Sequence, residues 1–308
     1  MPKRLSPSTV AHLLLLAVVF VWGTTFVLVK DALQDASPLL FNLLRMTLAF
    51  FALVIVNYQQ LRHINRRALI SGLIVGIFLA AGYQFQTAGL ARTTPAKSAF
   101  ITGLVVVFVP LFTIIPALRS TNTPRPGWTT AIGALLAFSG LLLLTTPAGT
   151  SFQNLFVSIG LGDLLTLVCA IAFAAHLLAI AHTSHRVPTG QLATLQIGVA
   201  ALIMAITLPL GGKPHLNITP RLLIALAVTS LLATAAAFTI QSWSQQHLPP
   251  THTAILLTLE PVFAGLTSFL VLHEHLGSRS LLGAALILAG IVFIELLSAA
   301  TPVPIHPD

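Results

Sequence analysis

The chain has 308 residues, of which 56% are hydrophobic and 7% charged, with 15 Lys+Arg against 7 Asp+Glu. A soluble domain carries roughly 25% charged residues. There is too little charge here to cover a soluble core, and too many long apolar runs for a disordered chain. The basic residues lie in short gaps between apolar runs, without forming one patch. That distribution speaks against nucleic acid and for lipid headgroups as the partner.

A transmembrane helix needs about 20 mainly apolar residues. In chain order the runs that qualify are 11–32, 38–57, 68–90, 96–117 and 128–146, then 161–182, 190–210, 221–243, 252–272 and 280–299. Lys3 and Arg4 precede the first run. That run exceeds the ~7–15 residues of a signal-peptide core, so it is expected to remain as the first span. Ser37-Pro38, Arg62 to Arg67, Thr94-Pro95, Pro124 to Pro126, Pro188, Gly211 to Pro214, Pro249-Pro250 and Gly277 punctuate the gaps. Lipid satisfies no open backbone group, so the spans are predicted to be helices. The fold class is therefore an all-α integral membrane protein of ten transmembrane helices.

Orientation follows the Lys/Arg bias of short loops. With a cytoplasmic N-terminus, Lys3, Arg4, Arg62, Arg66, Arg67, Arg119, Arg125 and Arg186 lie inside. Lys30, Arg92, Lys97, Lys213, Arg221 and Arg279 lie outside. The cluster at 62–67 tips the balance, so both termini of this multi-pass cell-membrane protein are expected in the cytoplasm.

The chain also repeats itself. TTPAKSAFITGLVVVFVPLF in the first half matches LPPTHTAILLTLEPVFAGLT in the second when Pro95 is set against Pro250, an offset of 155. GALLAFSG from Gly133 matches GAALILAG from Gly283, an offset of 150. The predicted repeats are residues 1–148 and 149–308. Five spans is an odd number, so the second copy enters the membrane from the opposite side. Inverted repeats place a transport site between the halves, near the midplane.

Several segments together resemble the EamA-type family of the drug/metabolite transporter superfamily. They are FVWGTTFVLVK, FNLLRMTLAF and GLARTTPAKSAF, then ATAAAFTIQSWSQQHLPPTHTAILLTLEPVF, HEHL and LLGAALILAGIVFI. The resemblance covers nearly the whole chain. It implies a ten-helix bundle with cytoplasmic termini and two five-helix repeats. It also implies transport of metabolites, often export of amino acids or related solutes, by alternating access. The chain departs from symmetry at Glu274, whose counterpart in the first repeat is Arg119.

Glu260 lies near the middle of the ninth span and is followed by Pro261. A carboxylate at that depth costs several kcal/mol on insertion, unless it faces a cavity, pairs with a base or carries a proton. It is a candidate for proton coupling or for a hydrogen bond to a neighbouring helix. Pro261 removes a backbone donor and is expected to kink the span. Arg45 is the basic residue clearly inside a span. It keeps its proton, so it pairs with Glu260, binds a substrate carboxylate or snorkels outward. Mid-span polar residues form a further tier: Trp22 and Thr24, Tyr83, Gln84 and Gln86, His176, Gln196, Gln241 and Trp243. Each lines a substrate path or ties helices together. Gly72 and Gly76, with Gly133, Gly140, Gly283 and Gly290, permit close backbone packing.

Eleven histidines invite a metal or enzyme reading. The pairs His182/His185 and His273/His275 fall at span ends, and no H-E-x-x-H, P-loop, G-x-S-x-G or G-x-G-x-x-G is present. Nothing in the sequence requires a cofactor. The expected partners are a small-molecule metabolite and the lipid bilayer, and a monomer or a homodimer both fit. A channel is the second transport class, but internal duplication with lone charges suits a carrier better than a symmetric pore.

Overall fold

The computed structural model describes residues 6–115, 127–146, 159–248, 253 and 256–299. Lys3, Arg4, Arg119, Arg125 and the prolines at 124, 126, 249 and 250 lie outside the described residues. Ten helical segments are named here in chain order. They are α1 (Pro7–Ala32), α2 (Pro38–Val56), α3 (Arg66–Leu90), α4 (Pro95–Phe112) and α5 (Trp128–Thr145). There follow α6 (Leu161–Thr183), α7 (Thr189–Thr207), α8 (Pro220–Ser244), α9 (Glu260–Leu272) and α10 (Ser278–Ala299). A short helix, Tyr58–Leu61, links α2 to α3. Seven helices are long and apolar enough to cross a membrane among the described residues: α1, α2, α3, α4, α6, α7 and α8. In α5, α9 and α10 the apolar stretch is shorter. Ile55, Val56, Leu135 and Ile206 are all more than two-thirds exposed, the surface expected against lipid rather than water.

The sequence punctuation becomes helix starts. Prolines open α1, α2, α4 and α8, where a missing N–H costs nothing. Ser6, Asn65, Thr94 and Thr219 cap α1, α3, α4 and α8 by accepting from Thr9, Ala68, Lys97 and Leu222 N–H.

Packing has a two-fold pattern. α2 lies on α7, α4 on α9 and α5 on α10. α3 packs on both α6 and α7, and correspondingly α8 packs on both α1 and α2. Adding five to each helix of the first half reproduces the set. Glycines fix the closest approaches. A Cβ on Gly140 would lie 2.5 Å from Gly283 O, and one on Gly290 would lie 2.5 Å from Gly133 O. The α5 and α10 backbones therefore touch. Gly72 and Gly76 likewise let α3 reach Leu195 and Val199 of α7, with virtual Cβ contacts of 2.4 and 2.6 Å.

The bundle has two end faces. The near face carries the start of α1, and the far face carries its end. Polar contacts cross between the halves on the far face. Arg221 donates to Asp35 at 2.8 Å, and Thr219 adds a bond of 2.7 Å. An isolated antiparallel bridge joins Ala36 to Leu216, flanked by Asn217 N to Asp35 O and Ser37 N to His215 O. Thr93 donates to Asp163 at 2.8 Å, and Ala96 N–H to Glu274 at 3.3 Å. Lys30 Nζ donates to the carbonyls of Leu90 and Thr93, a cation at the C-terminal end of α3. On the near face, Gln191 Nε2 donates to Gln60 O and His63 O.

Two outcomes follow. Gly140→Leu forces the α5 and α10 backbones apart and should cost at least about 1–3 kcal/mol, read as a lower Tm of the purified protein. Gly127→Ala, with no described residue within 4 Å of its Cβ, should leave Tm unchanged. The second outcome concerns Asp35, which Arg221 first and Thr219 second hold below the usual carboxylate range. A depressed carboxylate stabilises the fold above its unfolded pKa, and the contribution is lost as pH falls through the folded value. The Tm advantage of wild type over Asp35→Asn should therefore persist at neutral pH and shrink below about pH 4. An advantage constant down to pH 3 would reject the clasp as the cause.

Candidate functional site

α4 and α9 are both broken, at the same place in the repeat. α4 consists of Pro95–Thr102, a turn at Gly103 and Leu104, and Val105–Phe112. Before α9, residues 256–257 are helical, Thr258 and Leu259 form a turn, and Glu260 starts the helix. The repeat offset of 155 sets Gly103 against Thr258 and Leu104 against Leu259. The hydrogen bonds match as well. Leu104 N donates to Ile101 O and Leu259 N to Leu256 O, both at 3.1 Å. Phe108 N donates to Leu104 O and Phe263 N to Leu259 O, at 2.9 and 3.0 Å. The breaks adjoin: a Cβ on Gly103 would lie 3.3 Å from Pro261 Cγ. Pro261, the expected kink residue, follows the second break directly and sits in the first turn of α9, where its missing N–H leaves nothing unsatisfied.

Beside the paired breaks lies a cavity lined from α1, α2, α3, α4, α6 and α8 and by Leu257 and Glu260 at the second break. Its volume is about 80 Å³. A buried water needs roughly 10–15 Å³ on that measure, and a 150 Å³ cavity accepts benzene. The space thus admits several waters or a solute of a few heavy atoms, and a larger solute requires the helices to part.

Arg45 reaches this cavity from α2 while only 4% exposed. Its Nε donates to Thr234 Oγ1 at 2.7 Å. Its Nη2 donates to Tyr83 Oη at 3.0 Å and to Ala233 O at 3.3 Å. The guanidinium carbon lies 4.3 Å from the Tyr83 ring centroid, a cation–π contact. Among the described residues Nη1 has no protein partner. Arg45 therefore does not snorkel, and no ion pair with Glu260 forms within 4.0 Å among the described residues. Ala233 O also accepts from Trp22 Nε1 at 2.8 Å. Ala233 and Thr234 belong to a π-helical stretch, Val228–Ala236, inside α8. Such widened turns recur at functional sites, and here one serves donors from α1 and α2.

Glu260 is half-buried and lines the cavity, and its carboxylate has no hydrogen-bond or ion-pair partner among the described residues. Its repeat counterpart, Val105, lines the same space. Gln241 is 3% exposed, and among the described residues its Oε1 has no partner. Gln86 also lines the cavity, and Tyr83, Phe173 and Phe238 form edge-to-face aromatic walls. His176 Nε2 shares a 2.9 Å hydrogen bond with Gln196 Oε1.

The structure gathers Trp22, Arg45, Tyr83, Gln86, His176, Gln241 and Glu260 around one cavity. Four predicted residues lie elsewhere. Thr24 donates to Phe20 O and Val21 O of its own helix. Gln84 Nε2 donates to Thr207 at 2.8 Å, tying α3 to α7. Gln196 stands behind His176, outside the cavity wall. Trp243 packs near Ala11, Leu15 and Leu248 and against His247. Sequence reasoning missed Thr87 and Thr102 in the wall, and Asn42, which donates to Tyr83 O at 2.9 Å. Asn42 precedes Arg45 by one helical turn, a signal of a polar face on α2. Among the described residues, no three His, Cys, Asp or Glu side chains gather as a metal site.

Thr234→Val leaves the buried Nε–H of Arg45 without its acceptor and should cost about 1–3 kcal/mol of stability. Thermal unfolding of the purified protein checks this. Thr24→Val, which removes only a bond to its own helix, should stay within about 0.5 kcal/mol.

An EamA-like transporter family model matches residues 9–146 and again 160–296. The chain is 32% identical to an uncharacterized transporter of Archaeoglobus fulgidus, over 93% of this chain and 86% of the relative. It is 25% identical to the uncharacterized transporter YoaV of Bacillus subtilis, over 90% and 94% of the two chains. It is 26% identical to a chloroplastic WAT1-related protein of Arabidopsis thaliana, over 91% and 68%. A solved crystal structure matches with a TM-score of 0.67 at 19% identity, covering 95% of this chain and 98% of that one, which shows the shared fold. The chain is a multi-pass membrane protein of the EamA-like transporter family, a family of transporters and not of enzymes.

Proposed function

We propose that the chain is a secondary transporter that exports small metabolites such as amino acids or related solutes in exchange for protons. In this reading ten helices span the cell membrane as two inverted repeats, 1–148 and 149–308. The near face and both termini are cytoplasmic. The matched breaks of α4 and α9 and the two-fold helix packing support that architecture. Discontinuous helices at a repeat interface are a recurring way to build a midplane site.

The observation that carries the reading is a basic and an acidic side chain lining one cavity without pairing. Arg45 presents Nη1 and Glu260 its carboxyl group, with no ion pair between them and no other partner for either among the described residues. An uncompensated charge in a low-dielectric interior is strongly unfavourable. A zwitterion satisfies both: its carboxylate meets the guanidinium, and its ammonium meets Glu260. The amides of Gln86 and Gln241 orient the remaining polar atoms, and the aromatic walls pack against the apolar part. In the empty site a proton neutralises Glu260 instead. Substrate ammonium and proton then compete for one carboxylate, which makes their movements opposite. Proton entry drives metabolite exit by that exclusion.

Reconstitution in proteoliposomes tests this. An amino-acid substrate should show saturable uptake, counterflow exchange and acceleration by an opposing pH gradient. Ohmic current without counterflow would favour a channel. Glu260→Gln should abolish the pH-gradient dependence while inserting normally, and Arg45→Ala should raise KM at least tenfold for a carboxylate-bearing solute. Unchanged pH dependence in Glu260→Gln rejects the coupling role. A chain that fails to accumulate on Arg45→Ala assigns Arg45 to the fold alone.

A further inference from the structure

We infer that the near face holds a binding site for a phosphate group, separate from the central cavity. The site is an open polar pocket where α6 ends and α7 begins, bounded by Gln60, Ser184, Arg186, Thr189 and Gln246. Four observations converge there.

The first is a helix N-terminus without a side-chain cap. α7 follows Pro188, which has no side-chain acceptor to offer. The first N–H groups of a helix lack intrahelical partners and carry partial positive charge, which suits an anion. The second is an unpartnered donor. Ser184 lines the pocket and is 1% exposed, and among the described residues its Oγ has no hydrogen-bond partner. Its carbonyl is already occupied, accepting from Gln246 Nε2 at 2.8 Å. The negative end of α6 is thereby partly neutralised next to the pocket.

The third is charge. Arg186 is exposed and has no ion-pair partner among the described residues. The carboxylates of Asp31, Asp35, Asp163 and Glu274 all belong to far-face segments. The described near-face connections, 57–65, 184–188 and 245–248, contain no Asp or Glu, while Arg62, Arg66 and Arg67 lie close along the chain. The fourth is depth. Ile55 and Val56 are 76% and 78% exposed, and they end the lipid-facing stripe one turn before Gln60. Tyr58 is 55% exposed, with Arg62 stacked 4.8 Å from its ring centroid. Apolar residues giving way to a Tyr–Arg pair mark the bilayer interface. The pocket therefore lies at the level of headgroup phosphates. A basic pocket between helix ends at that level fits an anionic phosphate, from a lipid headgroup or from free phosphate.

Native mass spectrometry of the full chain, purified in detergent, tests the site with phosphatidylglycerol, inorganic phosphate and a neutral galactolipid. Retention of phosphatidylglycerol or phosphate should exceed that of the galactolipid at least fivefold. Arg186→Gln should weaken it about tenfold and Ser184→Ala about threefold to tenfold, the range of one charged and one neutral hydrogen bond. Arg62→Gln, removing an equal surface charge outside the pocket, should weaken it less than twofold. Phosphatidylglycerol binding that inorganic phosphate fails to displace assigns the site to lipid, and displacement assigns it to free phosphate. Binding of neither probe above the galactolipid overturns the inference. So does equal loss from Arg186→Gln and Arg62→Gln, which would leave only diffuse attraction. Arg186 is exposed, so its variant should keep wild-type circular dichroism and elution volume, and the test does not depend on the buried Ser184.

Discussion

A guanidinium that cannot shed its charge is buried in an apolar bundle with no carboxylate bonded to it among the described residues, and much of the interior is arranged around that fact. Arg45 needs acceptors. It takes a hydroxyl from α8, a phenol from α3 and a backbone carbonyl from the π-helical stretch of α8. Three helices are thereby fixed relative to one another. Trp22 uses the same carbonyl and brings in α1. Asn42, one turn earlier on α2, bonds Tyr83 O and accepts from Thr87. The first and second halves are thus joined by neutral hydrogen bonds to a charge, which avoids burying an ion pair.

The breaks of α4 and α9 complement that frame. A turn inside lipid would expose backbone groups at several kcal/mol each, so such turns survive only against protein or a polar cavity. Here the two turns lie against each other and beside the cavity, Gly103 facing Pro261. The same i to i−3 bond closes both turns, Leu104 to Ile101 and Leu259 to Leu256. Duplication made the backbone symmetric. Substitution then made the chemistry asymmetric, because the residue just after the turn is Val105 in one half and Glu260 in the other. The two-fold frame therefore carries an acid on one side of the cavity and an apolar side chain at the matching place on the other.

How much of this was readable in the sequence depended on the cost of each residue. Hydropathy located the helices, prolines located several of their starts, and glycine spacing marked α5 and α10 as closely packing helices without naming each as the other's partner. Charges are expensive in a membrane, so Arg45 and Glu260 stood out, and both line the cavity. Neutral polar residues carry no such penalty, and their direction depends on helix phase. One residue turns a helix by about 100°. Thr24 thus faces its own helix while Thr25 lines the cavity. Gln84 and Gln86 point about 160° apart, as do Gln241 and Trp243, and in each pair only one member reaches the site. The apolar repeat is nearly continuous around these helices, so the sequence carries little phase information. The breaks were unreadable for a related reason: a turn that leaves the apolar run unchanged leaves hydropathy unchanged.

The two end faces differ in a way that bears on the direction of opening. On the far face the halves meet through Asp35 with Arg221, Thr93 with Asp163, and Glu274 with the Ala96 N–H. Every one of these involves a carboxylate. On the near face they meet through neutral amides, Gln191 to Gln60 O and Asn57 to Thr194, and through apolar contact of Ala11 and Leu15 with Leu248. A hydrogen bond to an ionised group contributes about 1.5–3 kcal/mol, against 0.5–1.5 for a neutral one. Parting the halves at the far face thus disrupts the stronger set. In this conformation the far face is the better fastened of the two. For alternating access the carboxylate contacts must be replaced in the opposite state, by water or by new partners. Because three of the four far-face carboxylates already serve as clasps, the far face has little free acid to hold a cationic solute. Glu260, recessed in the cavity and unpaired among the described residues, is the carboxylate to which the proposed transport reading assigns that role.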